Sequence, residues 1–144
     1  MSVWILDGYG AWDDASHWNG GVPNSVGAVA VFESTGSPRS GNSKVFFWQN
    51  SQITVGHLEI IASHPVGYSF VGQSGATSWT LRMAAFIGES AVIDVDANGT
   101  ATEISGGDGG HVILASNTDV ITRDITTNFT IGSDCSPSAP MAQI

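Results

Sequence analysis

The sequence has few charged residues, and most of those are acidic. Charged side chains make up 12% of the 144 residues, with four Lys and Arg against thirteen Asp and Glu, which gives a formal net charge of −9. An ordinary domain has about twice that share of charged residues. Because an acidic chain repels nucleic-acid phosphates and anionic lipid headgroups, we expect neither a nucleic acid nor a membrane as a partner.

Cysteine, long apolar runs and export signals are also scarce. Cys135 is the single cysteine, so no disulfide can form within the chain and the fold needs no oxidising compartment. No window approaches the roughly 18 apolar residues of a transmembrane helix. The start, Met1–Trp4, lacks the basic segment and long apolar run of a signal peptide. The sequence fits a protein used inside the cell that makes it, or an exported protein without its signal.

Short segments of alternating apolar and polar residues are abundant, above all between residues 53 and 104, and Gly, Asn or Ser closes each one. Alternation at period two is typical of strands with one buried face. Ile53 and Val55 share one face, and Leu58 and Ile60 share another after a change of phase at Gly56. Such a change is what a chain shows when it turns a corner around one core. We therefore predict an all-β protein.

The length of 144 residues indicates one domain. We predict a single β-domain over residues 1–131, with an N-terminal cap at 1–32 and successive strands over 45–131. Residues 132–144 are small, polar and proline-containing, which predicts an extended or disordered tail. Apolar peaks recur about every 8–12 residues, a spacing that fits the rungs of a β-helix or the strands of a β-sandwich or jelly roll.

One segment carries a family resemblance. Trp12 is followed after five residues by Trp18-Asn19-Gly20-Gly21-Val22-Pro23-Asn24, and the apolar strand Ala28–Phe32 comes shortly after. This pattern resembles the opening of bacterial autotransporter-type passengers, which are right-handed, pectin-lyase-like β-helix repeat proteins. The resemblance implies a short right-handed β-helix, and we prefer that fold to the β-sandwich or jelly roll.

Four residues are candidates for binding a partner. Trp12 and Trp18 stand in a loop-like segment, where aromatic side chains are natural interface anchors, although they could instead plug the open end of the core. Arg39 and Lys44 belong to the polar segment 33–44, which is either a solvated loop or a contact arm. All the tryptophans and tyrosines together could form a sugar-stacking platform, with core packing as the alternative for most of them.

One stretch has the spacing of a metal site. Asp94, Asp96 and Asn98, followed by Gly99, match the first half of a calcium loop, with oxygen ligands at alternate positions. Ser105 stands where such a loop needs a bidentate Glu. The alternative is a strand that enters an Asn-Gly turn with its acidic side chains in water. We expect no cofactor, with calcium as the alternative.

Catalytic patterns are weak, and we expect no enzyme. Asp13 and Asp14 beside His17 could suggest acid–base chemistry, but neighbouring carboxylates in a turn are usually caps. Polysaccharide lyases built on β-helices need a basic residue beside bound calcium. Arg82 and Arg123 are the basic residues of the strand region, and neither has a convincing acidic cluster beside it.

In size, acidity and all-β character the chain resembles the cement or decoration proteins of tailed bacteriophage capsids. That resemblance implies a non-enzymatic structural protein of the virion surface, assembled in the host cytoplasm and bound to the major capsid protein or another shell protein. A short β-helix has exposed strand edges and open ends that invite self-association, so we expect a homotrimer. The alternative function is a carbohydrate-binding or adhesive module of a secreted β-helix passenger at the bacterial cell surface.

Overall fold

The chain is built from strands, as predicted. The computed structural model describes residues 1–6, 8–33, 43–63, 68–73, 78–98, 102–104, 111–114, 118–123 and 129–131. Within these residues there is one 3₁₀ turn, Ala15–His17, and there are fourteen strands: β1 (Ser2–Trp4), β2 (Tyr9–Ala11), β3 (Trp18–Asn19), β4 (Val29–Glu33), β5 (Ser43–Phe47), β6 (Gln52–Val55), β7 (His57–Ser63), β8 (Tyr68–Gly72), β9 (Thr80–Met83), β10 (Ala91–Asn98), β11 (Thr102–Ile104), β12 (His111–Leu114), β13 (Thr118–Arg123) and β14 (Phe129–Ile131). None of the described segments is a helix long and apolar enough to cross a membrane.

The strands form three sheets, and strands that follow one another from β4 onwards go to the three sheets in turn. The first sheet has the order β13-β10-β7-β4-β1-β3, the second β14-β11-β8-β5-β2, and the third β12-β9-β6. Neighbouring strands are parallel, except that β3 runs antiparallel to β1. The predicted tail, residues 132–144, lies outside the described residues.

The register aligns apolar side chains in rows across each sheet. In the first sheet Ala30, Leu58 and Ile93 occupy paired positions, and in the third sheet Ile53 pairs with Leu81. All five side chains are buried. Because successive residues of a strand point to opposite faces, each row places one apolar residue per strand into the same core.

Aromatic rings fill the core next to the first strands. Phe32 lies at the centre of this group, with its ring centroid 4.8 Å from that of Phe70 and 5.5 Å from that of Trp4. Further along, Phe47 and Trp79 stack at 4.5 Å with nearly parallel planes. Edge-to-face and offset contacts of this kind add to the stabilisation that burial itself supplies.

The corner predicted at Gly56 is confirmed. Ile53 and Val55 lie in β6 of the third sheet, while Leu58 lies in β7 of the first, and all three are buried. Gly56 is the single residue between the two strands. A Cβ atom at this position would be 2.5 Å from the Cα atom of Gly27, so only a glycine lets the two backbones approach this closely.

We predict that Gly56→Ala lowers the free energy of unfolding by about 2–3 kcal/mol, because the clash is with backbone and cannot be relieved by a side-chain rotation. Gly21→Ala is the control, since Gly21 has a φ of +86° but open space around it. That change should cost about 1 kcal/mol for backbone conformation alone. Urea unfolding measures both, and a Gly56→Ala variant within about 0.5 kcal/mol of the original chain would contradict the prediction.

Candidate interaction surface

Trp12 and Trp18, the two predicted anchors, close the end of the core next to β1 and β3. Trp12 has no exposed surface and Trp18 is 5% exposed. The Trp12 Nε1–H donates to the carbonyl of Pro23 at 3.0 Å, and the Trp18 Nε1–H donates to the carbonyl of Trp12 at 2.6 Å. Both rings pack on Phe32. This burial favours the alternative interpretation, in which the two rings plug the end of the core, over that of exposed partner-contact residues.

The side chain of Asn24 completes the edge of the third sheet. Its Nδ2 donates to the carbonyl of Gln52 at 3.2 Å, and its Oδ1 accepts from the backbone N–H of Thr54 at 2.8 Å. An amide side chain has the same donor and acceptor as a peptide group, so Asn24 stands in for a neighbouring strand beside β6. The edge of β6 is therefore paired at this point, which makes it a poor template for another chain.

Asp14 and His17 hold the 3₁₀ turn between the two tryptophans. The Asp14 Oδ1 accepts from the backbone N–H of Ser16 at 2.9 Å and from its hydroxyl at 2.6 Å, and its Oδ2 lies 3.6 Å from the His17 Nε2. The pKa of Asp14 is held below its usual value of 3.8, mainly by the hydrogen bond from the Ser16 hydroxyl. The Ser16 N–H and the nearby His17 lower it further. The His17 Nδ1 donates to the carbonyl of Ala11 at 2.9 Å. These groups act as a cap, which is the alternative to acid–base chemistry.

Lys44, the third predicted contact residue, lies on the outer face of the second sheet. It pairs with Tyr9 across β5 and β2, and its ammonium group is 5.3 Å from the centroid of the Tyr9 ring. The Tyr9 ring also lies 6.3 Å from that of Phe46. Trp48 follows directly after the end of β5 and is 44% exposed, while Tyr9 is 67% exposed. We call Tyr9, Lys44, Phe46 and Trp48 the flank patch; Arg39, the fourth predicted contact residue, lies outside the described residues.

The exposed aromatic residues were not separated from the buried ones by sequence reasoning. The structure places Trp4, Trp79 and Tyr68 in the core with the two capping tryptophans, and leaves Tyr9 and Trp48 exposed. Most of the tryptophans and tyrosines therefore pack in the core. Core packing was the alternative to a sugar-stacking platform. Lys44 is charged and is followed by four apolar residues, Val45-Phe46-Phe47-Trp48, so the run shows no alternation of its own. Counting by two from Lys44, which belongs on the outer face, is the signal that could have assigned Trp48 to that face.

A second exposed apolar surface was also missed. Val26, Phe86 and Ile87 are large and exposed at the corner between the third and first sheets, and we call these three residues the corner knob. Met83–Ile87 is a run of five apolar residues. Strand β9 ends at Met83, and five consecutive apolar side chains cannot all point into the core. The length of this apolar run was the available sequence signal for an exposed apolar surface.

Asp94, Asp96 and Asn98 lie in an extended strand. They belong to β10, which pairs with β7 as far as Asn98 and with β13 as far as Asp96. Positions two apart on a strand are about 6.6 Å apart, whereas the ligands of a calcium loop converge by bending the backbone. No group of three or more His, Cys, Asp or Glu in the described part of the chain could hold a metal ion. The geometry favours the strand alternative.

Comparisons with known proteins add no family to these observations. No protein-family model matches the sequence, and the searches of curated proteins and of solved structures give no match either.

We predict that Asn24→Ala lowers the free energy of unfolding by about 1 kcal/mol, since two exposed hydrogen bonds are lost and their partners are rehydrated. The Thr54 amide should exchange its hydrogen faster, because its acceptor is gone. Ser25→Ala, a change at the next exposed position, should stay within about 0.5 kcal/mol of the original chain. Urea unfolding and hydrogen exchange read by NMR provide the test. Unchanged protection of Thr54 would show that Asn24 does not pair the edge.

We predict that Asp14→Ala lowers the melting temperature at neutral pH but not in strong acid. The pKa of Asp14 is lowered in the folded state, so the contacts of its carboxylate stabilise the fold above the unfolded-state pKa and are lost as the pH falls through the folded-state value. Ser16→Ala should bring the pKa of Asp14 back towards 3.8. Thermal melts across pH and an NMR titration of the carboxyl test both statements. A melting difference that persists at the lowest pH contradicts the first.

Proposed function

We propose that this chain is a non-enzymatic structural protein of a virion surface, of the cement or decoration kind, and that it acts as an oligomer built from short β-helical subunits. The observation that carries the proposal is the contrast between the end next to β1 and the flanks of the molecule. At that end the chain's own groups cover the core, and the exposed apolar residues there are Met1 and Ile5 on either side of β1. On the flanks, the large side chains of Tyr9, Trp48, Phe86 and Ile87 are exposed. A subunit of this kind associates through its sides rather than by adding strands at that end.

The β-helical part of the proposal is supported by the strand order. From β4 onwards, each sheet receives every third strand, and the paired strands are parallel. Parallel strands joined in this rotation wind in one direction around a shared core. Crossovers between parallel strands are right-handed in about 98% of cases, so we propose a right-handed β-helix.

The non-enzymatic part is supported by what the candidate catalytic groups do. The Asp14 carboxylate accepts two hydrogen bonds from Ser16, and one ring nitrogen of His17 is engaged by a backbone carbonyl. Asp13 lies 3.4 Å from the hydroxyl of Ser51. The contacts of Asp14 and His17 hold the turn itself, and that of Asp13 joins the N-terminal segment to the residue before β6. A group used in this way is poorly placed to transfer a proton to a substrate.

The virion part is supported by size, acidity and architecture together. A net charge of −9 on 144 residues keeps subunits apart in solution except where apolar side chains meet. Binding of a shell protein through exposed apolar flanks suits a protein that reinforces a shell. The carbohydrate-binding alternative depended on exposed rings at Trp12 and Trp18, and both are buried, so we do not propose it.

We predict a homotrimer whose mass does not change on dilution and does not depend on calcium. Light scattering of the purified chain over a dilution series, with and without calcium, measures the mass. The oligomer should then co-sediment with tailed-phage capsids stripped of their surface proteins. A chain that is monomeric at every concentration and never sediments with such particles would overturn the proposal.

A further inference from the structure

The corner knob is unusual for its degree of exposure. Ile87 is fully exposed and Phe86 is 58% exposed, although single exposed apolar residues are normally scattered rather than adjacent. They occupy a turn closed by a hydrogen bond from the N–H of Glu89 to the carbonyl of Phe86 at 2.9 Å. Gly88 follows with a φ of +88°. Two large apolar side chains are therefore presented to solvent at the tip of a tight turn.

The knob is held in place by backbone contacts. The Phe86 ring lies directly on Gly27, where an added Cβ would meet ring atoms at 2.7 Å or less. The N–H of Gly27 donates to the carbonyl of Ala84 at 3.0 Å, and Val26 beside it is also exposed. A side chain fixed before binding loses little conformational entropy on docking, which is the property of an interface anchor.

The flank patch has the complementary character. It combines the exposed rings of Tyr9 and Trp48 with the half-buried Phe46, and the positive charge of Lys44 lies over Tyr9. The knob has the opposite charge at its side, because Glu89 is exposed two residues after Ile87. Lys44 is the single lysine of a chain with net charge −9. The outer face of the third sheet has a second exposed positive charge, Arg82, but no exposed aromatic ring is described beside it. Another copy of this acidic chain is therefore attracted to the flank patch by its charge and its exposed rings together.

We propose that the corner knob of one chain docks on the flank patch of a second copy, with Ile87 and Phe86 against Tyr9 and Trp48 and with Glu89 beside Lys44. The inference rests on the proposed function, since it supplies the contact that makes the oligomer. The knob joins the third sheet to the first, and the patch lies on the outer face of the second. Two different surfaces of the same chain thus meet, which makes the contact head-to-tail. A head-to-tail contact forms a closed ring when its rotation divides the full turn evenly, and the proposed trimer requires a rotation of about 120°.

The first experiment compares native masses by light scattering. Ile87→Glu should weaken self-association by about tenfold or more, because it places a charge in the buried centre of the contact. Lys44→Glu should also weaken it, and Lys44→Glu combined with Glu89→Lys should restore it. Ile61→Gln, a change on β7 away from both surfaces, is the control and should leave the mass unchanged. A stable oligomer that survives Ile87→Glu overturns this inference and leaves the proposed function standing, whereas a monomeric original chain overturns both.

The second experiment identifies the partners by cross-linking. In a Cys135→Ser background, chains with Ile87→Cys and chains with Trp48→Cys are unfolded together in urea, refolded as a mixture so that they enter common oligomers, and then oxidised. Mixed disulfide dimers should form, and neither protein alone should form them. Dimers of Ile87→Cys alone would overturn the inference by assigning the knob to a two-fold contact with itself. Binding of the original chain to phosphatidylcholine vesicles, if it is lost in Ile87→Glu, would overturn the inference by assigning the knob to a bilayer.

Discussion

The edge strand of a parallel sheet leaves a row of backbone N–H and carbonyl groups without a partner strand. Each unpaired N–H or carbonyl that is kept from water costs free energy comparable to a lost hydrogen bond, and open edges also recruit other chains. In this molecule, β3 pairs with β1, the amide of Asn24 pairs with β6, and two indoles cover the core between them. The aromatic interior around Phe32 can stay dry because that closure is complete at each of these points.

The carboxylates of Asp14, Glu59 and Asp94 all lie at the surface. Asp14 is used as a cap, where hydrogen bonds lower its pKa. Glu59 and Asp94 face each other across β7 and β10 on the outer side of the first sheet. Like charges opposed in this way repel each other, and water and salt weaken that repulsion. The second sheet has the flank patch on its outer face instead, so the molecule has sides of different electrostatic character.

Part of the fold and of the candidate surface could be predicted from the sequence. The rest could not, because it depends on contacts between residues that lie far apart along the chain. The corner at Gly56 was predictable because periodicity and a glycine are local signals. The role of Trp12 and Trp18 was ambiguous, because a ring that plugs the core and a ring that binds a partner differ only in their surroundings. The Trp12 ring donates a hydrogen bond to the backbone carbonyl of Pro23, and a backbone acceptor has no sequence signature. Lys44 was a candidate, but its contact with Tyr9 depends on the register of β2 and β5, which strand patterns alone do not give. The corner knob was missed because turn geometry decided its exposure.

The packing of the closing segment has an optical consequence. The rings of Trp4 and Trp18 are 5.2 Å apart at 81°, and those of Trp12 and Trp18 are 5.1 Å apart at 60°. The transition dipoles of indole rings this close and in different planes couple as excitons, so we expect the three indoles to share a paired circular-dichroism band that an isolated tryptophan lacks. Its amplitude depends on the mutual orientation of rings contributed by β1, β3 and the turn between them. The amplitude of this band therefore reports whether this end of the core is closed, and no added label is needed.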